Sequence, residues 1–309
     1  MRTARLLAIL LAFAIPAGLR AAPPVPAVAV APETTAPAVV AAPSVASTPT
    51  VAPARDPSLP PSENEAKAQL ETSPRHGEFI DVPLPKGGKL NAWIVYPERK
   101  DKAGVVIVIH EIFGLSDWIR GVADQLAKEG FIAIVPDLVS GLGPNGGGST
   151  GAASRDDVVK LVRALSPEEA TARVNAVRDF AKKIPAGNGE IATLGFCWGG
   201  GRSFAYAVSE PALAGTVVYY GVSPEPADLA KIHAPVVGFY GGDDARITAT
   251  LEATKAEMKR LGKAYEANVF DGAGHGFLRA QGDREGANLR ATRAAWPRTL
   301  AFLRERLGK

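Results

Sequence analysis

The chain has 309 residues, 46% of them hydrophobic, and a formal net charge of +3 with acids and bases nearly balanced. That length is enough for one α/β domain of about 200–250 residues with a sizeable core. No Lys/Arg stripe runs along any helical pattern, so a nucleic-acid partner is excluded and a small neutral or anionic substrate is expected.

The N-terminus reads as an export signal. Arg2 and Arg5 precede an apolar run, Leu6 to Ile15, and small residues follow at Ala17, Gly18, Ala21 and Ala22. The run is shorter than the roughly 20 residues needed to span a bilayer, so no stable membrane span is expected in the mature protein. Residues 1–22 are assigned to the signal, and a periplasmic or secreted location follows. From Ala21 to Pro61 there are eleven prolines among Ala, Val, Ser and Thr, a composition that cannot build a core or a strand ladder. Residues 23–72 are therefore read as a disordered, partly polyproline linker. The folded domain is placed at 73–309, and a monomer is expected. The single cysteine, Cys197, cannot form an intramolecular disulfide. It is either a buried inert side chain or a reactive thiol sheltered in a pocket.

Along the domain, Phe79–Leu84 and Leu90–Tyr96 read as strands joined by a turn at Lys86, Gly87 and Gly88. The run Gly104–Ile109 is β-branched after its first residue, the pattern of a strand buried on both faces of a parallel sheet. Ile119, Val122 and Leu126 mark a helix that Gly130 stops, and Phe131–Val135 is the next buried strand. Ser140–Ser154 is Gly-rich and without period, a loop of the kind that can cover a site. Ser166-Pro167-Glu168-Glu169 opens a helix with a capping box, whose apolar stripe is Ala170, Val174, Val177 and Ala181. Ile191–Gly195 is a strand and Cys197–Ser209 a helix. Thr216–Tyr220 and Val236–Tyr240 are further strands. Ile247, Leu251, Met258 and Leu261 mark a helix, Tyr265–Phe270 a strand, and Trp296, Leu300, Leu303 and Leu307 the last helix. The alternation predicts an α/β fold: a mostly parallel central sheet with helices on both faces and its site at the carboxyl ends of the strands.

Three motifs fall at such ends. Gly195-Phe196-Cys197-Trp198-Gly199-Gly200 lies between a strand and a helix, a G-x-nucleophile-x-G elbow with cysteine as nucleophile. Its place at a helix N-terminus is expected to lower the thiol pKa. Gly241-Gly242-Asp243-Asp244 supplies a carboxylate that could orient an imidazole, and Gly272-Ala273-Gly274-His275 supplies the imidazole. The order nucleophile, acid, base is that of the α/β-hydrolases. A fourth motif, His110-Glu111-Ile112-Phe113-Gly114, follows the Gly104–Ile109 strand. There the Ile112 N–H is the candidate partner of the Trp198 N–H in an oxyanion hole. Glu111 could take the thiol proton or guard the substrate. No metal is expected, because no HExxH or second carboxylate/His cluster accompanies His110, and no cofactor is needed.

These motifs, with Pro136-Asp137-Leu138 and Gly274-His275-Gly276-Phe277, resemble the dienelactone hydrolase family (carboxymethylenebutenolidase-like enzymes) from about Phe79 to Leu307. The resemblance implies the α/β-hydrolase fold, an ester or lactone substrate and a Cys197–His275–Asp244 triad. It selects Asp244 over Asp243. It also implies that Glu111 contacts the resting thiol and helps form the thiolate once substrate binds, and that Arg279 binds a substrate carboxylate. Members acting on dienelactones often carry a second arginine shortly after Pro-Asp-Leu, where this chain has Val139-Ser140-Gly141. That departure bears on the substrate and leaves the hydrolase chemistry untouched. A broad short-chain esterase, and a non-catalytic binding module on the same fold, are the alternatives. A thiol redox role lacks a resolving cysteine.

Overall fold

The computed structural model describes residues 55–308. The signal assigned to residues 1–22 and most of the Pro-rich linker lie outside the described residues. Eight strands form one sheet: β1 (Gly77–Pro83), β2 (Lys89–Val95), β3 (Ala103–Ile109), β4 (Ile132–Pro136), β5 (Gly187–Phe196), β6 (Gly215–Tyr219), β7 (Val236–Gly241) and β8 (Tyr265–Phe270). Their spatial order is β1-β2-β4-β3-β5-β6-β7-β8. β1 pairs with β2, and β2 with β4, in antiparallel fashion; every other neighbour is parallel. This is the mostly parallel sheet the alternation predicts, in the α/β-hydrolase arrangement the resemblance implies.

The helices are α1 (Ala66–Thr72), α2 (Asp117–Lys128), α3 (Arg155–Ala164), α4 (Pro167–Ala181), α5 (Trp198–Ser209), α6 (Ala245–Thr248), α7 (Leu251–Arg260) and α8 (Ala287–Leu307). Strand periodicity divides them between two faces. In β3, Val106 and Val108 point to one core, shared with Trp118 and Val122 of α2 and Trp296, Leu300 and Leu303 of α8. Val105, Ile107 and Ile109 point to the other, shared with Val174 and Val177 of α4, Phe204 of α5 and Met258 of α7. All seven β3 residues are buried, as a central parallel strand requires.

Three local readings need correction. The Ser140–Ser154 loop is followed by α3, which the sequence reading passed over; Ser154 caps it by accepting the Asp157 N–H. The helix read from Ile247 to Leu261 is two, α6 and α7. The box at Ser166 is half made. Ser166 Oγ accepts the Glu169 N–H, but the Glu169 carboxylate turns instead to Arg173, 2.8 Å away.

The largest correction concerns the linker. Residues 55–72 are part of the folded domain, and α1 lies within them. Leu59 and Ala66 are buried in the core that α2 shares. Proline removes N–H donors but keeps its carbonyl, and those carbonyls do the anchoring here. Trp118 Nε1 donates to the Pro61 carbonyl at 3.1 Å, and Gln281 Nε2 to the Pro60 carbonyl at 2.9 Å. Composition predicts disorder only where no other surface is available to pack against, and here the α2 face is available. Among the described residues no helix is long and apolar enough to cross a membrane.

Candidate active site

The β5–α5 turn is strained as an elbow must be. Cys197 sits at φ 55°, ψ −118°, left-handed space that costs a residue with a Cβ about 1–3 kcal/mol. The surroundings hold it there: the Cys197 N–H donates to the Tyr219 carbonyl at 3.0 Å, and its carbonyl accepts the Gly201 N–H at 3.1 Å. The flanking glycines are a matter of space. A Cβ on Gly195 would lie 2.0 Å from the Gly199 carbonyl oxygen, and one on Gly199 would lie 2.3 Å from the His110 carbonyl oxygen. The second approach presses the elbow against the β3 end that carries Glu111 and Ile112.

The thiol is half-buried and faces two backbone N–H groups, those of Trp198 and Ile112, which favour its thiolate. Both residues are packed by one small apolar cluster of Val139, Val158 and Val162. The Gly-rich loop is tied to the same wall: Asp137 accepts the Ser149 N–H and its hydroxyl, each at 2.7 Å, while Ser149 Oγ accepts the Leu115 N–H at 3.0 Å. Yet the thiol pKa is not lowered. Burial first, and the Glu111 charge second, push it up to about 11, against the two N–H groups and Arg246. The helix N-terminus, expected to favour ionisation, is outweighed by desolvation.

Asp244 follows the end of β7 and His275 lies in the loop after β8. Asp244 Oδ2 is 2.5 Å from His275 Nδ1, with the carboxylate buried and the imidazole about one-third exposed. That contact fixes Nδ1–H as the donor and leaves Nε2 with a free lone pair. Asp243 is turned away to an exposed ion pair with Arg284 at 2.6 Å. Tyr220, buried at φ 38°, stands with its ring 5.0 Å from the imidazole. Its hydroxyl acts on the Glu111 carboxylate as a hydrogen-bond donor, favouring the ionised carboxylate, while burial followed by the Glu111 charge raises the phenol well above its usual value. Among the described residues no hydrogen bond joins the thiol to the imidazole.

Glu111 is 3% exposed, and its Oε2 accepts from Arg279 Nε at 2.8 Å. Burial raises its carboxyl to about 7, opposed by the Arg279 charge and hydrogen bond. Arg279 is thus close to the site but already engaged, by Glu111 on one side and by Glu63 of the N-terminal segment on the other. His110 is structural. Its Nε2 accepts the Leu138 N–H at 3.2 Å, so Nδ1 carries the proton and donates to the Glu111 carbonyl at 2.7 Å. Its ring stacks on Trp198 at 5.6 Å, and burial lowers its pKa. Both nitrogens are spent, which leaves none to ligate a metal. The sequence reading missed Tyr220, Arg246 and Glu63; only Arg246, two residues past Asp244, had a positional signal.

The dienelactone hydrolase family model matches residues 90–307. The chain is 31% identical over 238 residues to a carboxymethylenebutenolidase of Pseudomonas sp., covering 74% of this chain and 94% of that protein. A Saccharolobus solfataricus relative, provisionally named carboxymethylenebutenolidase, is 31% identical over 252 residues, 71% of this chain and 95% of its own length. Among solved structures, a Klebsiella pneumoniae protein provisionally named dienelactone hydrolase superposes with a TM-score of 0.66 at 27% identity, over 74% of this chain and 98% of that one. The chain is a hydrolase belonging to the dienelactone hydrolase family.

Proposed function

We propose that the protein hydrolyses carboxylic esters or lactones through Cys197, His275 and Asp244. The observation that carries this reading is the strained backbone of Cys197, a non-glycine residue held at φ 55° with its sulfur facing the Ile112 and Trp198 N–H groups. A fold has no structural need for such a residue there; a nucleophile does.

In the proposed reaction, His275 Nε2 takes the thiol proton as the sulfur attacks the substrate carbonyl carbon. The C=O electron pair moves onto oxygen, where the two N–H groups receive the charge. Collapse breaks the bond to the leaving oxygen, which His275 protonates, and a thioester remains on Cys197. Water then loses a proton to His275 and attacks the thioester. The acid departs and the thiol is restored. Asp244 holds the imidazole tautomer and stabilises its charged form. Glu111 governs the resting thiol, since its charge beside the sulfur opposes ionisation until the site is filled.

We also propose that the chain acts outside the cytoplasm, on the strength of the Arg-flanked apolar run Leu6–Ile15. The deciding experiment for the chemistry is a screen of purified protein against aryl esters and unsaturated lactones, with Cys197→Ala as control. Turnover lost in the control is expected. Equal turnover in both would reduce Cys197 to a structural residue in a Gly-rich turn.

A further inference from the structure

Residues 55–72 lie before the family-matched residues, yet they reach the site. Besides the Pro60 and Pro61 carbonyl contacts, the Glu63 N–H donates to the Arg279 carbonyl at 3.0 Å. Ser62 ties the turn by donating its N–H, at 2.9 Å, and its hydroxyl, at 2.6 Å, to Glu65. These anchors present the Glu63 carboxylate to two guanidinium groups. One oxygen is 2.8 Å from Arg155 Nη1, and the other is paired with Arg279 Nη1. Arg155 lies over the Phe113 ring at 3.6 Å and Arg279 over it at 5.1 Å. A carboxylate gripped by two arginines beside an aromatic face has the donor set of an anion site for a small organic acid, already occupied. Arg279 also holds Glu111, whose charge acts on the thiol, so one side chain links this cluster to the nucleophile.

We propose that Glu63 is a specificity-determining residue: a tethered carboxylate that fills the place formed by Arg155 and Arg279 and turns the site toward neutral esters. This rests on the ester-hydrolase reading above. A group tethered on a short, anchored segment has an effective concentration in the millimolar range or higher. A substrate carboxylate below that level cannot displace it. Above pH 7, where Glu111 is ionised, two arginines face two carboxylates with Glu63 present and the cluster carries no surplus charge. Without it, one positive charge is left for the substrate.

The test uses the full chain and a matched pair, p-nitrophenyl butyrate and p-nitrophenyl succinate monoester, with calorimetric titration of benzoate as a readout that needs no turnover. Glu63→Gln retains the backbone N–H to Arg279 and the buried Leu59 anchor; Glu63→Ala is a second variant with the same expectation. Both should raise kcat/KM for the anionic ester relative to the neutral one by about tenfold, mostly through KM, and should tighten benzoate binding to a similar degree. Glu63→Asp should stay near wild type. Adding Arg279→Gln to Glu63→Gln should cancel the gain. A substrate ratio and a benzoate affinity within twofold of wild type in both variants would overturn the proposal, as would a gain that survives Arg279→Gln. If wild type hydrolyses neither ester, the hydrolase reading falls, and the benzoate titration still decides the role of Glu63.

Discussion

The elbow at Cys197 and the N-terminal strap at residues 55–72 approach Glu111 from different sides, and they are built by different physics. The elbow is made by steric exclusion: glycines where a Cβ would strike backbone oxygen, and one residue forced into left-handed space. The strap is made by the Pro60 and Pro61 carbonyls, the Glu63 N–H and the buried Leu59 and Ala66, which meet partners far away in sequence, among them Gln281, Trp118 and the Arg279 carbonyl. The first kind of construction is written locally. The second exists only once the rest of the domain has folded, so it leaves no local pattern.

The comparison is broken most severely at the elbow. Members of a catalytic triad act as a unit, so under the proposed mechanism Cys197→Ala and His275→Ala should each lower kcat by on the order of 10³-fold or more. The double variant should be little worse than either. Cys197→Ser, close in shape but far less acidic, should also work poorly. Steady-state kinetics on the esters that wild type cleaves measures all four. Additive losses would mean that the two side chains act separately.

At the strap the expected effect is on stability first. A chain starting at Ser73 loses the burial of Leu59, about 1.5–3 kcal/mol for a leucine moved from core to water. It also strands the buried Trp118 Nε1, which costs about a further 1–3 kcal/mol. Urea denaturation should therefore show it less stable than a chain starting at Arg55 by about 3 kcal/mol or more. Equal midpoints would mean that the strap merely rests on the surface.

What was legible in the sequence follows the same division. The β-branched run of β3, the Gly-x-Cys-x-Gly spacing and the order Cys197, Asp244, His275 are local or ordinal signals, and they place the sheet and the site motifs. Helix α3 was signalled by Ser154 three residues before Asp157, a cap hidden behind a glycine-rich stretch. The strap was illegible because prolines suppress the patterns that mark helices and strands, while their carbonyls remain free to bind. Tyr220 carries no sequence signal, since neither its φ of 38° nor its place beside the imidazole is written in the residues around it. The thiol was misjudged for a related reason: a helix N-terminus can be read from sequence, but burial and a Glu111 charge from 86 residues upstream cannot.

That last point gives the smallest and most specific effect. The resting thiol is held up to about 11, so iodoacetamide should react slowly at neutral pH, and the rate should climb about tenfold per pH unit toward that value. Glu111 titrates at about 7 and is therefore anionic across the range in which the thiol ionises. A like charge beside the sulfur opposes the thiolate, so removing it must lower the thiol pKa. Glu111→Gln does this, while Arg279 keeps its pair with Glu63. Alkylation near pH 8 should thus become faster in Glu111→Gln, with the midpoint lower than in wild type but still above an ordinary cysteine, because burial is the larger cause and remains. Glu63→Gln should move the midpoint much less, since its charge reaches the sulfur only through Arg279 and Glu111. A wild-type midpoint near the ordinary thiol value, or one that rises in Glu111→Gln, would show that the carboxylate does not oppose the thiolate, and would leave the elbow and the strap electrostatically independent.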